Sequence, residues 1–138
     1  MIDKFEGQYD FLSNFYAHPI SNGVLTFPTN EHYFQAMKTL NQEERIAIAR
    51  ASTPDQAKHM GREVKLRVDW EDIKLQVMET ALRIKFSDPE LAAKLIATGD
   101  EELVEGNWWH DTFWGVCEGV GENHLGKLLM KVRADIRQ

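Results

Sequence analysis

Apolar residues recur with the 3.6-residue period of amphipathic helices over most of the chain, and lose it in two aromatic-rich stretches toward its ends. Residues 1–29 carry Tyr9, Phe11, Phe15, Tyr16, Pro19, Asn22, Gly23 and Pro28. Within them, Ser21-Asn22-Gly23 before Val24-Leu25-Thr26-Phe27 predicts a short β-hairpin, because Asn-Gly accepts the positive φ of a tight turn. A helix capped by Thr29 or Asn30 is expected through Glu31 to Lys38, within residues 30–40. A second spans about 42–51; a third starts at Thr53-Pro54, with Thr53 as cap, and stops at Gly61. Val64-Lys65-Leu66-Arg67-Val68 alternates and predicts a short strand. The longest helix opens at Asp69 and runs to about Phe86, with Ile73, Val77, Thr80, Ala81 and Ile84 as its buried stripe. Ser87-Asp88-Pro89 ends it and caps a helix over about 89–97, which Thr98-Gly99 terminates. Residues 100–122 place Gly106, Gly115, Gly119 and Gly121 around Trp108, Trp109, Phe113 and Trp114. A last helix, about 123–136, buries Leu125, Leu128, Leu129, Val132 and Ile136. The predicted fold class is mainly α: a compact multihelical single domain over 1–138 with minor short β-strands.

Composition narrows the function classes. With 43% hydrophobic residues, four Trp and seven Phe, a chain of 138 residues closes a core without covalent staples. Cys117 is the single cysteine, so no intrachain disulfide is expected and a reducing, cytoplasmic setting fits. The Met1–Glu6 stretch has no apolar run of a signal peptide, and no segment is long and apolar enough to predict a membrane span. Sixteen Lys and Arg against 22 Asp and Glu give a net charge of −6, which disfavours non-specific binding to long nucleic acid. A local cationic pocket for one or two phosphates remains compatible with that balance. No His/Cys cluster has zinc spacing, and Gly119, Gly121 and Gly126 spell neither a phosphate loop nor a dinucleotide fingerprint, so no metal or cofactor is expected. Cys117 reads as a packed thiol.

Three constellations could carry chemistry. Glu31, Gln35 and Lys38 stand at i, i+4 and i+7 and share one narrow stripe of their predicted helix. They form either a polar site or a solvated face stabilised by ordinary helix pairs. Asn107-Trp108-Trp109-His110-Asp111-Thr112-Phe113-Trp114-Gly115 offers indoles that can stack on a base and an acid beside them; alternatively the indoles plug the core and Asp111 caps a turn. Ser13 and Asn14, within Phe11-Leu12-Ser13-Asn14-Phe15, can bind ribose hydroxyls or phosphate, or simply form a turn.

Taken in order, these segments resemble the NADAR family, also called YbiA-like. The resemblance rests on Phe11-Leu12-Ser13-Asn14-Phe15, on Glu31-His32-Tyr33-Phe34-Gln35-Ala36 with Lys38, and on Gly61-Arg62 and Trp70. It continues through Met78, Ala81-Leu82 and Lys85-Phe86, then Asp111 with Trp114-Gly115, and Asn123 with Leu125-Gly126, Leu128-Leu129-Met130 and Val132-Arg133. It covers essentially the whole chain. It implies a mainly helical fold and an N-glycosidase that hydrolyses a ribose C1–N bond without a cofactor. Two substrate kinds are implied: phosphorylated ribosylaminopyrimidine intermediates of riboflavin synthesis, and ADP-ribose on the guanine amino group of DNA or RNA. In the second case a cognate ADP-ribosyltransferase toxin is the implied partner. The Trp108-Trp109-His110 run looks particular to this chain and bears on the leaving group.

Breaking that bond builds positive charge at the anomeric carbon and negative charge on the departing nitrogen. Glu31 is the expected carboxylate beside the sugar, and Asp111 the candidate for positioning or proton delivery. Lys38, roughly 10 Å along the predicted helix from Glu31, either forms a Schiff base with the opened sugar or binds its phosphate. These three catalytic candidates are expected to converge on one sugar. Trp70 and Trp114 are candidates for ring stacking, and Ser13, Asn14 and Arg62 for ribose or phosphate contacts, with Asn123 supporting. Phe15, Tyr33 and Gln35 complete the expected substrate-binding set. The competing expectations are a non-catalytic module that binds ADP-ribose or a nucleotide, and an interaction protein whose Trp-rich loop is its contact surface.

Overall fold

Four of the helices begin at a short polar side chain that accepts a hydrogen bond from the first turn, three of them where the sequence predicts a cap. In the computed structural model, which describes residues 1–138, Thr29 caps α1 (Asn30–Ala36) and Asn41 caps α2 (Gln42–Ala49). Thr53 caps α3 (Pro54–Gly61) and Asp88 caps α5 (Pro89–Ala97), both with proline in the first turn, where its missing N–H costs nothing. α4 (Trp70–Lys85) and α6 (His124–Ile136) are the two longest. A 3-10 helix at Gly7–Leu12 and four two-residue strands complete the chain: β1 (Ile20–Ser21), β2 (Thr26–Phe27), β3 (Gly106–Asn107) and β4 (Val116–Cys117). The class is mainly α with minor β, and no helix is long and apolar enough to cross a membrane.

The chain gathers into two compact units, Asn14–Lys85 and Met1–Ser13 with Phe86–Gln138. In the first, α1 is the centrepiece. All seven of its residues are buried, and it packs against α2, α3, α4 and β2. His32 pins it: the ring Nε2 meets the Ala51 carbonyl at 3.0 Å, so it carries the proton, and Nδ1 accepts from the Thr29 hydroxyl at 2.8 Å. The hairpin forms as expected, with Ile20 opposite Phe27 and Ser21 opposite Thr26. Its loop is four residues, held by Asn22 Oδ1 accepting from the Val24 and Leu25 amides.

Four expectations for this unit need correction. Residues 64–68 form no strand: the Lys65 amide goes to the Glu44 carboxylate and the Arg67 amide to the Lys38 carbonyl, which leaves no ladder. Arg67 also takes the Asp69 carboxylate at 2.7 Å, and the long helix starts at Trp70, one residue later than predicted. The buried face of α4 is Trp70, Met78, Ala81, Leu82 and Lys85 rather than the predicted stripe, of which only Ala81 is buried; Thr80 is exposed. Finally, α1 is shorter than expected. Beyond Ala36 the chain turns, with the Lys38 amide bonded to the Gln35 carbonyl, and Thr39 receives the chain through its hydroxyl, which donates to Glu44 at 2.6 Å.

The second unit is built on α5 and α6, packed together. Residue Ile2 bridges in parallel to Leu103, and Leu95, Leu103, Leu125, Leu129 and Val132 fill the core. Gly99 ends α5 at φ 65°, a left-handed position that suits glycine. In α6, Leu125, Leu129 and Val132 are buried as predicted, while Leu128 and Ile136 are half-buried. The β3–β4 pair is parallel, with Gly106 opposite Val116, and is absent from the expectations because two-residue strands leave no periodic trace.

Candidate active site

The carboxylate of Glu31 is in the first turn of a helix that is buried on every side. Glu31 is 8% exposed and Gln35 4%, so the solvated-face alternative for this stripe is excluded. Gln35 Nε2 donates to Glu31 Oε2 at 2.6 Å, a charge-assisted bond that fixes the carboxylate's orientation. The Glu31 amide donates to the Asn14 carbonyl at 3.0 Å, which ties the segment after Ser13 to the start of α1. Asn14 is itself buried, and its Nδ2 rests on Met78 Sδ at 3.4 Å.

Gly61 makes room for the Gln35 amide. A Cβ built on it would overlap Gln35 Oε1 and stand 2.8 Å from Gln35 Cδ. The buried Oε1 has no conventional donor, and its close approach to the α3 backbone depends on glycine there. The Gly61-Arg62 pair thus does two jobs: the glycine admits the amide that holds Glu31, and Arg62 follows as the C-cap of α3.

Lys38 lies in the turn after α1, not on the helix, so the predicted i+7 spacing and its axial distance do not apply. It nonetheless remains within electrostatic reach of Glu31. Its Nζ is 5.8 Å from the centre of the Phe34 ring, which packs edge-on to Trp70 at 5.1 Å. Burial holds the Lys38 ammonium below the ordinary lysine value; Glu31 acts against this, and Arg62, Lys58 and Lys74 add to the depression. The Glu31 carboxylate and three cations, Arg62, Lys58 and Lys74, thus all act on the Lys38 ammonium, in a chain of net charge −6. Lys58 and Lys74 were not among the sequence candidates. The signal that could have found them is spacing: Lys58 precedes Arg62 by four residues and Lys74 follows Trp70 by four, so each shares a helix face with a named candidate.

Other candidates have clear structural duties. Trp70 is 5% exposed and is committed to Phe34. Tyr33 is buried edge-on against Phe27 at 5.5 Å, and burial pushes its phenol up. Phe15 is 38% exposed, and Ser13 is half-buried with its amide bonded to the Asp10 carbonyl.

The second unit holds Asp111, Trp114 and Asn123 close together. Asp111 Oδ1 accepts from the Phe113 and Trp114 amides at 3.2 and 2.9 Å, and Asn107 brackets Asp111 through its amide and carbonyl. This is the turn-capping arrangement weighed above for Asp111. Asn123, in the left-handed region at φ 54°, accepts from the Glu105 amide at 2.9 Å and donates to the Leu103 carbonyl at 3.0 Å. Both ends of its side chain are thereby engaged with backbone. Trp114 stacks edge-on to Phe113 at 4.9 Å, whereas Trp108 and Trp109 are 81% and 45% exposed.

The chain belongs to the NADAR domain family, whose model matches residues 2–137. Among its relatives, N-glycosidase YbiA of Escherichia coli (strain K12) is 46% identical over 132 residues, covering 93% of this chain and 82% of that protein. A riboflavin biosynthesis protein, VVA0006, of Vibrio vulnificus is 39% identical over 134 residues, covering 94% of this chain and 36% of that longer protein. The NMR structure of the E. coli protein YbiA superposes with a TM-score of 0.86 at 44% identity, covering 99% of this chain and 87% of that one.

Proposed function

We propose that the protein is an N-glycosidase that hydrolyses the ribose C1–N bond of a phosphorylated ribosylamine at Glu31 and Lys38. The observation that carries this is the buried Glu31 carboxylate, oriented by Gln35 and within electrostatic reach of the Lys38 amine, whose protonated form burial disfavours. The relatives' names point the same way: one is an N-glycosidase and another a riboflavin biosynthesis protein. The latter favours an aminopyrimidine as leaving group; the guanine amino group of ADP-ribosylated nucleic acid is the other candidate.

Lys38 suits an imine route. A ribosylamine opens to an imine at C1, and the neutral Lys38 Nζ adds there. Its two protons pass to the departing nitrogen, the C1–N bond breaks, and a C1–Nζ Schiff base remains. Water then adds at C1, giving the free sugar aldehyde and returning the amine. Glu31 carries protons between these partners and stabilises positive charge at C1, a role that needs a fixed carboxylate.

Borohydride added during turnover is expected to leave a reduced adduct on Lys38, found by peptide mass spectrometry. Repeated failure to trap it, with turnover intact, favours direct attack of water at C1. The pH profile gives a second check. The imine route needs the neutral amine, so kcat/KM rises as pH passes upward through the Lys38 pKa. Arg62→Gln removes a cation that disfavours the ammonium, so the rising limb should move to higher pH; Glu31→Gln removes the opposing anion, so the limb of its residual activity should move lower. Limbs that coincide with wild type in both variants would exclude Lys38 as the titrating group.

A further inference from the structure

We infer that the corner formed by Trp108 and Trp109 is a docking surface for an arginine-rich segment of a protein partner, a role separate from the ribosylamine chemistry at Glu31. Trp108 is 81% exposed and Trp109 45%. Soluble domains seldom leave adjacent large aromatic side chains in water unless a partner meets them. The two indoles stand at 87° with ring centres 5.6 Å apart, so their faces form two walls of an open corner. The loop that presents them is fastened before any ligand arrives. Asn107 closes it, accepting from the Asp111 amide at 3.0 Å and donating to the Asp111 carbonyl at 2.8 Å. His110 stands at φ 65°, a left-handed conformation that costs a non-glycine residue free energy, and its Nδ1 is 3.8 Å from Cys117 Sγ. A loop already set in this way loses little further entropy on binding.

Charge selects the occupant. Between Lys94 and Lys127 the sequence has seven Asp and Glu and no Lys or Arg. Asn107 lies opposite Cys117 in the parallel β3–β4 pair, so Trp108 and Glu118 leave the same end of neighbouring strands. Glu118 is exposed on a tight turn closed by two backbone bonds between Cys117 and Val120, at 2.9 and 3.0 Å. Val120, on the return of that turn, is 64% exposed and adds apolar surface. Glu122 is exposed as well, with its amide bonded to the Thr112 carbonyl at 2.7 Å. The N-terminal stretch reaches Gly106 through the Asp3 carbonyl, and its Lys4 is set between Asp3 and Glu6. A nucleic-acid strand stacked on the indoles would bring phosphates against carboxylates, in a segment without cations to receive them. A second copy docked face to face would oppose the same carboxylates. A guanidinium meets both features, since it stacks flat on an indole while its N–H groups bond to carboxylates.

The test titrates octa-arginine, octa-lysine and a thymidine oligonucleotide into isotope-labelled protein and follows the indole N–H resonances by NMR. Octa-arginine should shift the Trp108 and Trp109 signals, leave that of buried Trp70 in place, and bind about threefold or more tighter than octa-lysine. Trp108→Leu and Trp109→Leu keep the charge, so each should weaken octa-arginine by about threefold to tenfold, and Glu118→Gln by about twofold. An octa-arginine affinity that is unchanged in both leucine variants overturns the inference, because bulk attraction between an acidic protein and a basic peptide then accounts for the binding. Indole signals that do not move overturn it too. Tighter binding of the oligonucleotide than of octa-arginine assigns the surface to nucleic acid, and a dimer in sedimentation that Trp108→Leu dissolves assigns it to a second copy; either result rejects the basic partner. A raised KM for a ribosylaminopyrimidine phosphate in the leucine variants, with octa-arginine affinity unchanged, rejects it as well and makes the indoles a wall for the leaving group.

Discussion

Glu31→Gln is expected to lower kcat by about 10²–10⁴-fold while the unfolding midpoint stays close to wild type. The substitution preserves shape and retains an amide oxygen that can accept from Gln35 Nε2, so the 2.6 Å contact that packs α1 survives in neutral form. What it removes is the negative charge, and with it both the stabilisation of a cationic C1 and the carrier of protons. A structural role for Glu31 predicts the reverse pattern, with stability falling and turnover intact. Steady-state kinetics and thermal unfolding on the same preparation separate the two. Near-normal kcat in this variant removes Glu31 from the mechanism.

Gly61→Ala is expected to cost about 1–3 kcal/mol of stability and, separately, about 10- to 100-fold in kcat. The added methyl would stand 2.8 Å from Gln35 Cδ and 3.1 Å from its Cβ, inside a wall where Gln35 is 4% exposed. The amide must therefore leave its place, and Glu31 loses the donor that orients it. Combining Gly61→Ala with Gln35→Ala should restore most of the stability, because the clash is gone, but not the activity, because the donor is gone as well. Urea unfolding with kinetics on the single and double variants checks both halves. A Gly61→Ala protein with wild-type stability and turnover would contradict the account of how Glu31 is held.

What could be read in the sequence was what is decided locally. Thr53 with Pro54, and Asp88 with Pro89, announce helix starts because cap and first turn are a few residues apart. The Glu31–Gln35 pairing was legible for the same reason, since i and i+4 meet on any helix. Its burial was not, because the enclosing surfaces of α3 and α4 come from far along the chain. The exit from α1 was misjudged on similar grounds: the Lys38 carbonyl is claimed by Arg67, and the Thr39 carbonyl by the Arg45 side chain at 2.8 Å. The face of α4 was misplaced because apolar residues adjoin on two faces, and the face chosen by packing includes a lysine, Lys85, at 1% exposure. Lys58 and Lys74 escaped notice because single lysines on polar helix faces look like ordinary solvated charge. In the structure they stand out by their electrostatic effect on Lys38.

The most direct measurement offers the purified protein a ribosylaminopyrimidine phosphate and, in parallel, DNA carrying ADP-ribose on guanine, and follows products by mass spectrometry. Release of the free amine together with a sugar bearing oxygen at C1, from at least one substrate and lost in Glu31→Gln, is the predicted result. Binding of both substrates with each recovered intact would contradict it and make the protein a ligand-binding module.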